Sequence, residues 1–431
     1  MCFFTRFTLL PTSLILLGCL TLIHARLYAQ PDSLPYSQLP HETIHLGQKA
    51  NFSLFDEAFY TNQLFLLGES HGIQKPQELD FELLKHLNHK TGLRYYLAEL
   101  DATKARYINV YLKTGNENLL DSVFRSWVQE QAQWANKNFL DKIRKIRALN
   151  QTLSSARQIE FVGIDRIQDK SLVAQELSQL LRNKQLPATT KPIADSLIFR
   201  LSNQTPDSLA AQWALKWLAT WPQQQAAYEQ QLGPQVSWLH QLLTNIGYLS
   251  TIRSRETILF TNFKALLPSL HQEKVYGLWG FFHVLQTPLL NGSKPLASLI
   301  KESNLSLRDK IVSISCSYLD CYAMTPTHFL PPTWQDKGKT YTRLDKFNND
   351  SDLMHVEGID AMRAATQANT STLFVLNRPG SFAHTTPLRI RYSAYMPKSQ
   401  QLQFDPHRAI TDYFQYIILV RNSEMTQPIV P

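Results

Sequence analysis

The chain has 431 residues, 44% of them hydrophobic and 18% charged, which suits one large core or two modest ones and is too apolar for a disordered chain. The formal net charge is +8, and setting aside Arg6 and Arg26 near the N-terminus leaves +6 on the remainder. No Lys/Arg run is present to track a phosphate backbone, so this mild basic bias argues against nucleic acid as a partner.

Arg6, an apolar stretch from Leu9 to Ile23, and Ala25 and Ala29 ahead of Gln30-Pro31-Asp32 read as a secretory signal over 1–29, cleaved after Ala29. The expected protein is exported, periplasmic or secreted. Leu16-Leu17-Gly18-Cys19 also resembles a lipobox, so the expected membrane contact is the leader itself or a lipid on Cys19. Beyond the leader only Cys316 and Cys321 remain. Their spacing suits a small disulfide loop in an oxidising compartment, and two buried free thiols are the other reading.

Seven stretches rich in Leu, Ile, Val, Phe and Tyr read as strands: Gln63–Ser70, Arg94–Leu100, Gln158–Asp165, Lys274–Val284, Lys310–Tyr318, Ser371–Asn377 and Phe414–Val420. Most are near-continuous apolar runs, as expected of strands covered on both faces by helices. Pro76–Lys90, with Leu79, Leu83, Leu84 and Leu87 on one face, reads as the helix of a βαβ unit. From about 170 to 270 strands give way to helical spacing, and Thr205-Pro206-Asp207-Ser208 reads as a helix start with Thr205 as the capping hydroxyl. The fold class is therefore α/β: a mainly parallel sheet with flanking helices and a large helical insertion. After the leader, 30–431 forms a single domain, with 60–170 and 271–431 as α/β halves around the insertion at 171–270. The polar, Pro-rich stretch from Thr325 to about Gln367 reads as a long surface excursion.

Four strands end in residues that can do chemistry. The first ends Gly68-Glu69-Ser70-His71-Gly72, the second Ala98-Glu99, the third Ile164-Asp165-Arg166, and the fourth Trp279-Gly280-Phe281-Phe282-His283. In a parallel sheet these carboxyl ends share one rim, the place where such folds bind ligands. Apolar strand cores do not explain the placement, because a carboxylate or imidazole there costs free energy unless paired or wet. Glu69 and His71, two apart, point to one side of an extended chain, and a carboxylate beside an imidazole fixes its tautomer and favours its charge. Asp165 and Trp279 are candidates for substrate contact. Arg253, Arg255 and Glu256 also read as a solvated helix face, and Trp213, Trp217 and Trp221 as core or pocket wall. Gly68-Glu69-Ser70-His71-Gly72 has the Gly-x-Ser-x-Gly spacing of a serine nucleophile elbow, but Ser70 faces away from its neighbour His71 on an extended strand, which argues against Ser70 as the nucleophile. No His-x-His pair is present and no His or further Cys stands at metal spacing beside Cys316 and Cys321, and neither a metal nor another cofactor is expected.

The order of these motifs resembles the erythromycin esterase family. The matching stretches are Gly68–Gly72, the helix Glu78–His89, Tyr96–Leu100, Phe161–Asp165, Arg255-Glu256 with Asn262, and Trp279–Val284, so the likeness runs from about 60 to 290. Tyr413–Val420 fits the family's closing strand. The resemblance implies metal-independent hydrolysis of a small-molecule ester or lactone. His71 would be the general base acting on water, oriented by Glu69 and Glu99, with His283 and Arg255 at the carbonyl oxygen or leaving group. The chain departs from the family pattern in having one residue between Glu69 and His71 where the family has two, and Phe281 where the family has a further His. The Glu-x-His spacing also resembles haem-binding lipoproteins of iron uptake, which makes a binding protein, or an inactive relative, the alternative to an enzyme.

Overall fold

The computed structural model describes residues 34–47, 51–251 and 253–430. The expected leader, its cleavage site and Cys19 lie outside them. All seven expected strands form, joined by a short edge strand that its mostly polar sequence His41-Glu42-Thr43-Ile44 had hidden. In chain order they are β1 (His41–Ile44), β2 (Leu64–Glu69), β3 (Tyr95–Asp101), β4 (Glu160–Asp165), β5 (Val275–Gly280), β6 (Ile311–Leu319), β7 (Ser371–Val375) and β8 (Tyr416–Arg421). Across the sheet the order is β1-β7-β8-β6-β2-β5-β3-β4. The pairings β1–β7 and β7–β8 are antiparallel and the rest parallel. The six parallel strands thus present their carboxyl ends along one edge.

Helices cover both faces, which is why the strand sequences are apolar throughout. On one face Phe65, Leu67, Tyr96, Tyr276 and Ile314 pack against α1 (Gln74–Thr91), α2 (Ala102–Thr114), α3 (Glu117–Gln129) and α4 (Lys137–Thr152). Asp101, directly after Leu100, ends β3 and caps α2 by accepting hydrogen bonds from Thr103 N and Lys104 N. The other face packs Leu64, Leu66 and Leu97 against Leu259 and Phe263, with a second cluster around Phe374, Ile417 and Leu419.

The stretch 171–270 is helical: α5 (Lys170–Leu180), α6 (Lys191–Ser202), α7 (Asp207–Leu218), α8 (Trp221–Leu232), α9 (Val236–Gly247) and α10 (Arg255–Leu266). Its first five helices share their own core around Leu197, Trp217, Tyr228 and Leu243, so Trp217 is core, flanked by the half-buried Trp213 and Trp221. The helix start at Thr205-Pro206 differs from expectation by one position. Pro206 is itself the N-cap, and the Thr205 hydroxyl donates back to Arg200 O. Cys316 and Cys321 are both buried and unpaired. Burial pushes both thiols up, that of Cys321 to about 11, and Cys321 Sγ donates to Leu319 O. The excursion over 325–367 also departs from expectation: Thr342, Leu344, Leu353, Val356, Ile359 and Met362 are buried.

Candidate active site

β2 ends at Glu69, and the chain turns through Ser70 and His71 to Gly72. Gly72 has φ +86°, and a Cβ there would sit 2.4 Å from Met324 O, so only glycine fits this turn. The turn is clasped from a distance. Gly72 O accepts from Met324 N and Thr426 N, and Gln74 N donates to Glu424 O. Further along, Lys137 N donates to Gln427 O and Ile429 N to Ala135 O. The segment 424–429 therefore ties the His71 turn to the loop before α4, whose Trp134 ring lies 4.8 Å from that of His71.

His71 Nδ1 is 3.0 Å from Glu69 Oε1, and Gln77 Nε2 donates to both oxygens of that carboxylate, at 3.4 and 3.2 Å. This leaves Nε2 facing the rim, 3.8 Å from Glu99 Oε2. Glu99, buried at the end of β3, receives the Gly280 N–H at 2.7 Å and Arg255 Nη2 at 2.8 Å, with His283 Nε2 at 3.4 Å. Both imidazoles thus meet on one carboxylate, across Gly280. A Cβ on Gly280 would lie 3.0 Å from His71 Nε2 and 3.5 Å from the His283 ring, so glycine keeps the space between them open.

His283 lies beyond the strand. The apolar run over 274–284 breaks at Gly280, and Phe281–Val284 forms a 3-10 turn that swings His283 off the sheet. Its Nδ1 donates to Glu256 at 2.9 Å, and Glu256 also accepts Leu296 N at 2.8 Å. Arg255 and Glu256 open α10, where Ser254 caps the first turn. They do not form the solvated face that their local sequence also allows. Arg253 is exposed, but Arg255 forks onto Asp165 (Nε to Oδ1 at 3.0 Å, Nη2 to Oδ2 at 2.5 Å) and Glu256 is buried. Of the expected insertion, α10 is the helix that reaches the rim.

Two expectations are corrected here. Trp279 is fully buried, its indole N–H donates to Leu97 O, and its ring lies edge-on behind His283, so it backs the site and does not face a substrate. Asp165 is also buried and is engaged by Arg255, which makes it a positioning group for the guanidinium. His71, Glu69, Glu99, His283 and Arg255 are brought together. Sequence reasoning missed Gln77, Trp134 and Lys142, which come from separate helices and loops. Glu256 could have been found from its place beside Arg255.

The charges set the protonation states. Burial works against ionisation of Glu99, but His71, His283 and Arg255 outweigh it and hold its carboxyl well below the usual range. Burial likewise opposes charge on the imidazoles. For His71, Glu99 and the Glu69 hydrogen bond prevail and raise the ring. For His283, Glu99 and Glu256 prevail and raise it to about 9. Burial raises Glu69, against the pull of His71. The Nε2 of His283 has two possible partners. Protonated, it points at Glu99 Oε1; bare, it accepts from Arg255 Nη1 at 3.0 Å. A ring nitrogen satisfied in either state gives up a proton without leaving an orphaned group behind.

Beside His71 lies a small cavity of about 30 Å³, bordered by Glu69, Gln77, Glu99 and Lys142. A water needs roughly 10–15 Å³ by this kind of measure, so the cavity has room for about two. Among the described residues, no group of three or more His, Cys, Asp or Glu side chains is arranged to hold a metal ion.

No protein-family model and no curated protein matches the sequence. Solved structures do match. An erythromycin esterase mutant, EreC in its open conformation, superposes with a TM-score of 0.65 at 13% identity, over 91% of this chain and 100% of that one. A succinoglycan biosynthesis protein gives 0.65 at 13% identity, over 92% and 97%. A Bacillus cereus protein gives 0.62 at 15% identity, over 86% and 92%. At these identities the likeness establishes architecture: the chain has the α/β fold of an erythromycin esterase over nearly all of its described length.

Proposed function

We propose that the chain hydrolyses a small-molecule carboxylic ester or lactone, using water activated by His71. The observation that carries this reading is the convergence of His71 and His283 on Glu99 across Gly280, with Arg255 alongside.

In this reading the Nδ1–H of His71 donates to Glu69, and the bare Nε2 takes a proton from water as its oxygen bonds to the carbonyl carbon. Arg255 and protonated His283 face the negative charge that develops on the carbonyl oxygen. His283 then gives its Nε2 proton to the departing alkoxide and turns the bare nitrogen to Arg255. The products are acid and alcohol. His71 holds one extra proton and His283 lacks one, and exchange with solvent restores both. His71 (24% exposed) and Arg255 (30%) are the two members of the group that reach solvent appreciably.

The test is hydrolysis of an activated acyl ester, with and without chelator, by wild type and His71→Ala. Chelator-insensitive turnover that falls about 10³-fold in the variant is expected. Turnover indifferent to His71 sinks the proposal. A Soret band on haem addition that shifts in His71→Ala would instead make the chain a haem-binding protein. We further propose that the chain is exported, with its mature form starting at Gln30. N-terminal sequencing of protein recovered from outside the cytoplasm checks this.

A further inference from the structure

A second, larger cavity of about 210 Å³ lies next to the site, bordered by Glu69 and Ser70 on one side. Its walls are mostly hydrocarbon: Phe281, Phe414 and Ile417 from the sheet side, and Met354, Val356 and Met362 from the excursion. Phe281 directly follows Gly280, which separates the two imidazoles, and turns edge-on to Phe414 with ring centres 6.1 Å apart. The polar, Pro-rich stretch is thus the lid of an apolar chamber.

Two hydroxyls interrupt that wall. Ser315 and Ser317, alternate residues of β6, point to one face of the sheet and are only 3% and 7% exposed. Neither hydroxyl meets a hydrogen-bond partner among the described residues, whereas Ser313 on the same face donates to Val284 O. Both serines line the cavity, so a polar atom of its occupant is what their hydroxyls can meet there. A cavity of about 150 Å³ accepts a benzene ring. This one takes a larger group, hydrocarbon for most of its length with a polar atom within reach of the serines.

We infer that the chamber holds the acyl portion of the substrate, a medium-length chain such as octanoyl, with its carbonyl end at the border formed by Glu69, Ser70 and Ser315, where the chamber meets the turn that carries His71. This rests on the esterase reading above and adds the substrate class to it. Chain-length selectivity then comes from the excursion, because Met354, Val356 and Met362 close the chamber.

Binding of octanoate to His71→Ala protein, followed by calorimetry, reads the chamber without turnover. One saturable site is expected, weakened at least tenfold by adding Met354→Trp, which fills the space, with Ser317→Leu as the alternative filler should that variant not fold. In the wild type, kcat/KM for para-nitrophenyl octanoate should exceed that for the acetate by tenfold or more, and Met354→Trp should collapse the ratio. Octanoate that fails to bind, or binds the filled variant equally well, overturns the chamber assignment even if acetate ester is hydrolysed. Octanoate binding without hydrolysis of either ester overturns the esterase reading and leaves the chamber as a carboxylic-acid site.

Discussion

Two buried charge clusters sit near one another at the rim, and they are built on opposite plans. In the first, Asp80 receives Lys142 Nζ at 2.5 Å and the hydroxyls of Tyr96 and Tyr276, each at 2.7 Å. Lys142 Nζ also donates to Gln77 Oε1 at 2.7 Å and to the Tyr96 hydroxyl at 3.3 Å, and both Lys142 and Asp80 are buried. In the second, Glu99 is shared by Arg255, His71 and His283, one ring nitrogen has a choice of partners, and two members reach water. In the sealed cluster the groups around Asp80 have one set of partners; in the open one the His283 ring nitrogen has two. Burial alone therefore does not mark a reactive site; what marks it is buried charge with an alternative arrangement at hand. Gln77 joins the two, giving its N–H to Glu69 and taking one from Lys142.

That contrast can be broken by experiment. The largest effect expected is the roughly 10³-fold fall in kcat/KM for His71→Ala, with the urea midpoint almost unmoved, since the ring is partly exposed. The converse is expected of Lys142→Met, which strands a buried carboxylate. Urea denaturation should show a loss of about 3 kcal/mol. If the folded Lys142→Met protein lost activity as completely as His71→Ala, the two clusters would be one functional unit and the distinction would fall.

The pH profile sharpens the same point. His71 works as a neutral base with its pKa raised, so the rate drops as pH falls through that raised value. His283 works protonated, so the rate drops again as pH rises through about 9. The two limbs belong to the coupled group as a whole, and Glu256→Gln should move the alkaline limb down. Gln77→Leu, which cuts the bridge, should cost about tenfold in kcat with little change in KM. The mildest change is Gly280→Ala, expected to lower kcat about threefold as His71 gives way by a few tenths of an ångström.

The sheet was legible because its central strands are apolar on both faces, and the same signal fails at the ends and edges. His41–Ile44 is short and polar at three of its four positions, so it carries no such run. The run through His283 looks continuous although the backbone leaves the strand at Gly280, since hydrophobicity does not report a change in dihedral angle. Trp279 misled for the same reason: an aromatic at a strand end reads alike whether it faces substrate or a neighbouring backbone. Reactive residues at strand termini could be found because position in the sequence fixes position on the rim. Trp134 and Lys142 act through partners some sixty residues earlier in the chain, and Gln77 reaches Glu69 only because the turn at Gly72 folds α1 back beside the strand end, relations that no local pattern encodes. The excursion concealed Met354, Val356 and Met362 among polar and proline residues, so its covering role was not visible.

The backbone clasp on Gly72 sets a schedule for the protein. His71 is among the first site residues to be synthesised, yet its turn gains Thr426 as a partner, and the Trp134 loop gains Gln427 and Ile429, some three hundred residues later. A growing chain therefore carries all the reactive groups well before it can hold them in register. The full set of bonds around the His71 turn exists only once the stretch past 420 lies between two loops made long before it.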